Sequence, residues 1–147
     1  MATLEQMLLS SENFPKVIND CKLLIDKQVA QRKGISGMAI KGGYKAVKKF
    51  RPDVIETSLE SLLPEFVQKL EPFWQEYEGK GGSLTMRQYL QGNSSRVATA
   101  LLSITDERAR KTDLKVLKSA YSKLRPFAQD NVEQALPDVG DLVQRYA

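Results

Sequence analysis

Apolar positions recur at three- and four-residue spacing along almost the whole chain, the period of helices that bury one face. Residues 3–9 read as a short helix, an arm packed across the core. Asn13 and Pro15 signal the next start, because asparagine accepts free amide hydrogens and proline is tolerated in a first turn. Val17, Cys21, Leu24 and Ala30 then form a stripe, widened by Ile18, Ile25 and Val29. Gly34-Ile35-Ser36-Gly37 reads as the end of that helix. Ile40, Tyr44 and Val47 mark another, which stops near Arg51-Pro52 because a residue before proline avoids helical angles. The longest stripe is Ile55, Leu59, Leu62, Phe66, Leu70, Phe73 and Tyr77. Pro64 and Pro72 fall inside it, and an interior proline removes a hydrogen bond, so a kink or a fresh start is predicted at Pro64.

Gly79-Lys80-Gly81-Gly82-Ser83 is a linker, followed by a short helix over Leu84–Leu90 that Ser83 caps and Gly92-Asn93 closes. Val97, Leu101, Leu102 and Ile104 form one helix, and Leu114, Leu117, Tyr121 and Leu124 a regular seam. Phe127, Val132, Leu136, Val139, Leu142, Val143 and Tyr146 make the last stretch. No segment alternates in the strand period. The expected fold class is all-α, a compact helical bundle of about 6–8 helices. Phe66, Leu70 and Phe73 are expected to share one core with Leu117, Tyr121 and Leu124.

The pattern also repeats. Val17-x8-Asp26 is echoed by Val97-x8-Asp106, Lys41-x-x-Tyr44 by Lys118-x-x-Tyr121, and Arg51-Pro52 by Arg125-Pro126. Leu63-Pro64-Glu65 is echoed in the same order by Leu136-Pro137-Asp138. Charge follows suit: Lys27 to Arg51 holds eight bases and no acid, and Pro52 to Glu78 holds seven acids and one base. Arg108 to Arg125 again holds seven bases against Asp113, and Pro126 to Gln144 four acids and no base. Two tandem pseudo-repeats are the expectation. The boundaries within a single domain of 147 residues are an arm at 1–12, copy one at about 13–78, linker and short helix at 79–92, and copy two at about 93–147. Small residues at matched places, Gly42-Gly43 and Ser119-Ala120, predict a close helix crossing where the halves meet.

Composition narrows the function classes. There is no histidine, which removes the commonest general base and metal ligand, and one cysteine, which cannot form an internal disulfide. No cofactor, no metal and no catalytic residue is expected, and the chain reads as a non-enzyme. Cys21 sits on an apolar stripe and reads as a small buried hydrophobe. Glu56 with Glu60, and Glu133 with Asp138, have carboxylate spacing, but without a Glu-x-x-His motif they read as solvated acidic faces. No apolar run approaches the roughly 20 residues of a membrane span, and no secretory leader is visible, so a cytoplasmic location is expected.

Two surfaces are candidates for binding. Lys41, Lys45, Lys48 and Lys49 flank the Ile40/Tyr44/Val47 stripe, and Lys111, Lys115 and Lys118 line up in the second half. Paired basic faces suit phosphates of a nucleic acid or an anionic membrane surface, whereas pairing with acidic neighbours such as Glu56, Glu60 and Glu133 would leave them inert. Phe73, Trp74 and Tyr77 are a candidate partner-binding aromatic patch, the competing assignment being core.

The runs Leu23-Leu24-Ile25-Asp26, Gly34-x-Ser36-Gly37, Lys41-x-x-Tyr44-Lys45, Leu62-Leu63-Pro64-Glu65-Phe66 and Leu101-Leu102-x-Ile104-Thr105-Asp106 together resemble a family of small all-helical bacterial proteins of unknown function. The resemblance implies a bacterial, cytoplasmic, helical protein and carries no activity or site residues. The function expected is that of a non-enzymatic binding or scaffold protein acting through contacts with a protein partner or with itself, the alternative being a polyanion binder.

Overall fold

The computed structural model describes residues 2–147; Met1, the first residue of the expected arm, and the Ser36 side chain lie outside the description. The described residues form α1 (Leu4–Leu8), α2 (Phe14–Gln31), α3 (Gly34–Phe50), α4 (Val54–Glu78), α5 (Met86–Gly92), α6 (Ser94–Lys111) and α7 (Lys115–Tyr146), with no strand among them. The protein is an all-α bundle.

Helices as short as α1 and α5 do not persist alone in water. Each is closed at its start by a reciprocal box, in which a threonine hydroxyl accepts the amide hydrogen three residues on and a glutamine side chain accepts the threonine's own. Thr3 and Gln6 make these bonds at 3.1 and 2.9 Å, and Thr85 and Gln88 repeat them at the same lengths. Each helix then buries a pair one turn apart, Leu4 with Leu8 and Met86 with Leu90. The second start therefore falls at Thr85 rather than Ser83, because only Thr85 has a glutamine three residues behind it.

The glycines at 34–37 open a helix instead of ending one. α2 stops at Gln31, Arg32-Lys33 make the turn, and α3 begins at Gly34, whose φ of +74° suits glycine. Of the kink or fresh start expected at Pro64, the fresh start does not occur: α4 runs for 25 residues through Pro64 and Pro72. α7 likewise runs for 32 residues through Pro126 and Pro137, joining what sequence spacing separates. Each proline forfeits one backbone hydrogen bond at a cost of about 3 kcal/mol. Burial of Leu59, Leu63, Val67, Leu70 and Trp74 along one face of α4 offsets it.

The core gathers α1, the first turns of α2 and α6, α4, α5 and the end of α7 around the fully buried Leu4, Val17, Met86, Tyr89, Val97 and Leu136. α3 contributes no apolar side chain to it, nor does α7 before Leu136 at this depth. The expected common core is therefore corrected: Leu70 is buried with Phe73 packed beside it, but Leu117, Tyr121 and Leu124 line a groove. α3 lies over α7 where a Cβ on Gly43 would come within 3.0 Å of Leu124, which is the close crossing the paired glycines imply. Gly42 faces open space.

Candidate functional site

α3 runs antiparallel to the first half of α7. Arg32, just before it, hydrogen-bonds Gln134, while Val47 near its other end shares a groove with Leu117 and Leu124. At 3.6 residues per turn, a helix that turns Gly43 toward α7 turns residues 35, 38, 42, 45 and 49 outward as one stripe. Ile35 is 83% exposed and Met38 75%, and Lys41, Lys45 and Lys49 are exposed beside them. None of these three lysines has an ion-pair partner within 4.0 Å among the described residues, and Lys48 reaches Asp26 only at that limit. Lys48 also lies over the Tyr44 ring, 5.0 Å from its centre.

The second group of lysines does not extend this surface. Leu124 faces α3, so Lys115 and Lys118 point away on the other side of α7. Lys111 pairs with Glu107 at 3.0 Å at the end of α6. The pairing with Glu56, Glu60 or Glu133 that would neutralise these lysines is also absent: Glu56 pairs with Lys22 at 3.4 Å, and Glu133 accepts from Ser94 and Gln129. The two basic groups are thus largely free but diverge, and no single paired face exists for a duplex to lie across.

The candidate aromatic patch is turned inward. Trp74 is 4% exposed and belongs to the core, with Phe73 and Tyr77 packed against it. The Trp74 and Tyr77 rings lie 5.3 Å apart, and Tyr77 meets the buried Tyr89 edge-on at 5.9 Å. A tryptophan with its faces covered offers nothing to a partner, so the helical spacing of these residues marks core.

Each helical hairpin carries a matched polar clasp. Tyr44 on α3 donates its hydroxyl hydrogen to Asp26 on α2, with Lys48 one turn on. Tyr121 on α7 donates to Asp106 on α6, with Arg125 one turn on and bound to the same carboxylate at 2.8 and 3.2 Å. The Arg125 guanidinium holds Asp106 below the usual carboxylate range. Burial, then Asp106, pushes the Tyr121 phenol up to about 12, and burial raises Tyr44 as well, with Asp26 adding to it. Burial also pushes the Cys21 thiol up to about 11, assisted by Asp20. These groups are held protonated, as donors or inert hydrophobes, the opposite of an activated nucleophile.

The clasp gives a pH-dependent prediction. A phenol whose folded pKa is raised from 10.0 to about 12 contributes stability that is fully present below pH 10 and is lost as pH rises through 12. Tyr121→Phe is expected to cost about 1 kcal/mol at pH 7, the value of one partly exposed hydrogen bond to a charged acceptor. The gap from wild type should close by pH 12; urea unfolding at the two pH values checks this, and an unchanged gap would show that the clasp carries no ionisation-linked energy.

Elsewhere polar groups are spent on structure. Asp138, at the floor of a polar cleft between α2, α5 and α7, binds Gln28 at 2.7 Å, Arg87 at 3.2 Å and Lys27 at 3.3 Å. Burial alone would raise its pKa, but the hydrogen bonds from Lys27 and Arg87 outweigh that and hold it low. No three His, Cys, Asp or Glu side chains among the described residues are placed to hold a metal ion. Among the described residues, no helix is long and apolar enough to cross a membrane.

Sequence spacing did not reveal the exposure of Ile35 and Met38. The one signal present was Gly34 and Gly37, which place Ile35 and Met38 in the opening turns of α3, beside the chain reversal at Arg32-Lys33. No curated protein matches the chain, and no solved structure does. One family model matches residues 4–147, nearly the entire length, and the chain belongs to that family, a family of unknown function (DUF6918).

Proposed function

We propose that this is a non-enzymatic binding protein of the bacterial cytoplasm that docks an acidic partner protein on the outer face of α3. The observation that carries the reading is the outer stripe itself. Ile35 and Met38 stand exposed on the same helix as the unpaired Lys41, Lys45 and Lys49. Burying two large apolar side chains supplies affinity, and free lysines at their side supply orientation and speed of encounter. A second copy of the chain is a poor occupant, because a symmetric contact would set these lysines against each other. The protonated phenols and thiol fit a binding role better than group transfer. A tandem duplication is consistent with the matched clasps and with the two 18-residue helices α2 and α6. Both copies expose apolar residues just after the turn between their helices, but Ile35 and Met38 are far more exposed than Leu114 and Val116, at 39% each.

Crosslinking followed by mass analysis tests the reading, comparing wild type with an Ile35→Glu/Met38→Glu variant and a Lys41→Gln/Lys45→Gln/Lys49→Gln variant. The expected result is a set of acidic partners captured by wild type, reduced at least tenfold by either variant and weakened by salt. Equal capture by all three proteins would remove α3 from the interface. Binding of the wild type to anionic vesicles with no protein partner would move the same surface to a membrane.

A further inference from the structure

We infer that the groove between α3, α4, α6 and α7 is a binding site for a single-chain amphipathic anion, a long acyl chain bearing a carboxylate. The open groove has a volume of about 540 Å³, within the range of small-ligand sites. Its walls are mostly carbon, with Val47, Leu62, Leu117 and Leu124 supplying bulk and Ala109 and Ala120 leaving room. None of the six belongs to the tightly packed core. Gly43 sets the spacing: with no side chain at the crossing, α3 comes down onto Leu124 and roofs the groove at that end.

One end of the groove is apolar and the other is suited to a negative charge. Lys111 and Thr112 close it where α6 gives way to α7. The Thr112 hydroxyl accepts the Leu114 amide hydrogen at 3.2 Å and keeps its own proton to donate. α7 starts there with no side chain capping it, so its first amides lack an acceptor, although Asp113 just before it offsets part of the positive helix end. Lys111 is tied only to Glu107, a weak exposed pair that a ligand carboxylate can replace. Arg108 is already committed to Glu65 and Ser61 and braces the wall without meeting the head group. Phe50, one turn beyond Val47, and Leu114 are exposed at this same end, an apolar lip over which a chain can enter. An uncharged oil would leave the free first-turn amides and the excess positive charge of Arg110 and Lys111 over their shared Glu107 unanswered, and a short carboxylate would leave the apolar wall bare. A fatty acid answers both. This site faces away from the outer stripe of α3, so either assignment stands if the other fails.

Displacement of a fluorescent fatty acid from the full chain tests the inference, with a saturated carboxylate series, the matching fatty alcohol and phosphatidylglycerol vesicles as competitors. The expected result is saturable binding of one fatty acid per chain. Affinity should rise about fourfold for each methylene added until the groove is full, the factor equivalent to ~0.8 kcal/mol per buried methylene. The alcohol and the Lys111→Glu variant should bind at least tenfold more weakly. Ala120→Phe, which fills the groove, should abolish binding with helical content and melting temperature unchanged; should it fail to fold, Ala109→Leu takes its place. The inference is overturned by no saturable binding up to the solubility limit, by equal binding of the alcohol, by binding that survives the filled groove, or by binding to vesicles alone.

Discussion

Leu70→Ala is expected to lower the unfolding free energy by about 2–5 kcal/mol, and Leu117→Ala by only about 1–2 kcal/mol. Both leucines sit on regular apolar stripes and look alike in sequence. Leu70 is 6% exposed within the core, where removing three carbons leaves a cavity among close-packed side chains. Leu117 lines an open groove, so truncation there removes contacts on one side only and water fills the space. Urea unfolding of the two variants under one set of conditions decides the matter. Equal losses would mean that the groove closes in solution and that the halves share a single core, removing the basis for a ligand there.

That contrast marks how far periodicity carries. It locates helices because a buried face must recur every three to four residues, and it finds helix in each of α1 to α7, although it divides α7 in two and misplaces the starts of α3 and α5. It cannot tell which stripe meets the core and which meets only another helix, because Leu117, Tyr121 and Leu124 satisfy the same rule as Leu63, Val67 and Leu70. Proline misleads for a related reason. Its local cost is fixed, while the burial that offsets it depends on neighbours such as Leu59 and Trp74, whose partners lie far along the chain. The Tyr44–Asp26 and Tyr121–Asp106 clasps were legible as matched motifs, though not as hydrogen bonds. The exposure of Ile35 and Met38 went unread because the glycines around Ile35 read as a helix end, and the lysines are largely free, apart from Lys111 with Glu107 and Lys48 near Asp26, but divided between two sides of the α3–α7 layer.

Gly140→Ala is expected to cost about 3 kcal/mol, the upper end of what overpacking does, although glycine to alanine inside a helix ordinarily gains up to about 1 kcal/mol. The reason is the way α5 rests on α7. A Cβ at position 140 would stand 2.7 Å from both Cα and N of Arg87 and 2.8 Å from the carbonyl carbon of Met86. These are backbone atoms, which cannot swing aside as a side chain would. Nor can α5 easily shift as a unit, for Met86, Tyr89 and Leu90 are fully buried and the Met86 amide donates to Gln144 at 3.1 Å. Arg87 adds ties to Asp138 at 3.2 Å and Asp141 at 2.5 Å. A methyl group must therefore lift α5 and partly expose its buried face. Gly42→Ala supplies the control: that position looks onto open space, and the same substitution should stabilise the protein by about 0.5–1 kcal/mol. Urea unfolding of the two variants reads the opposite signs. Trp74 emission reports where the damage lies, since its ring stacks with Tyr77, which in turn meets Tyr89 on α5. If Gly140→Ala were as stabilising as Gly42→Ala, α5 could not be docked on α7 by its backbone, and the core described around Tyr89 would have to be rebuilt.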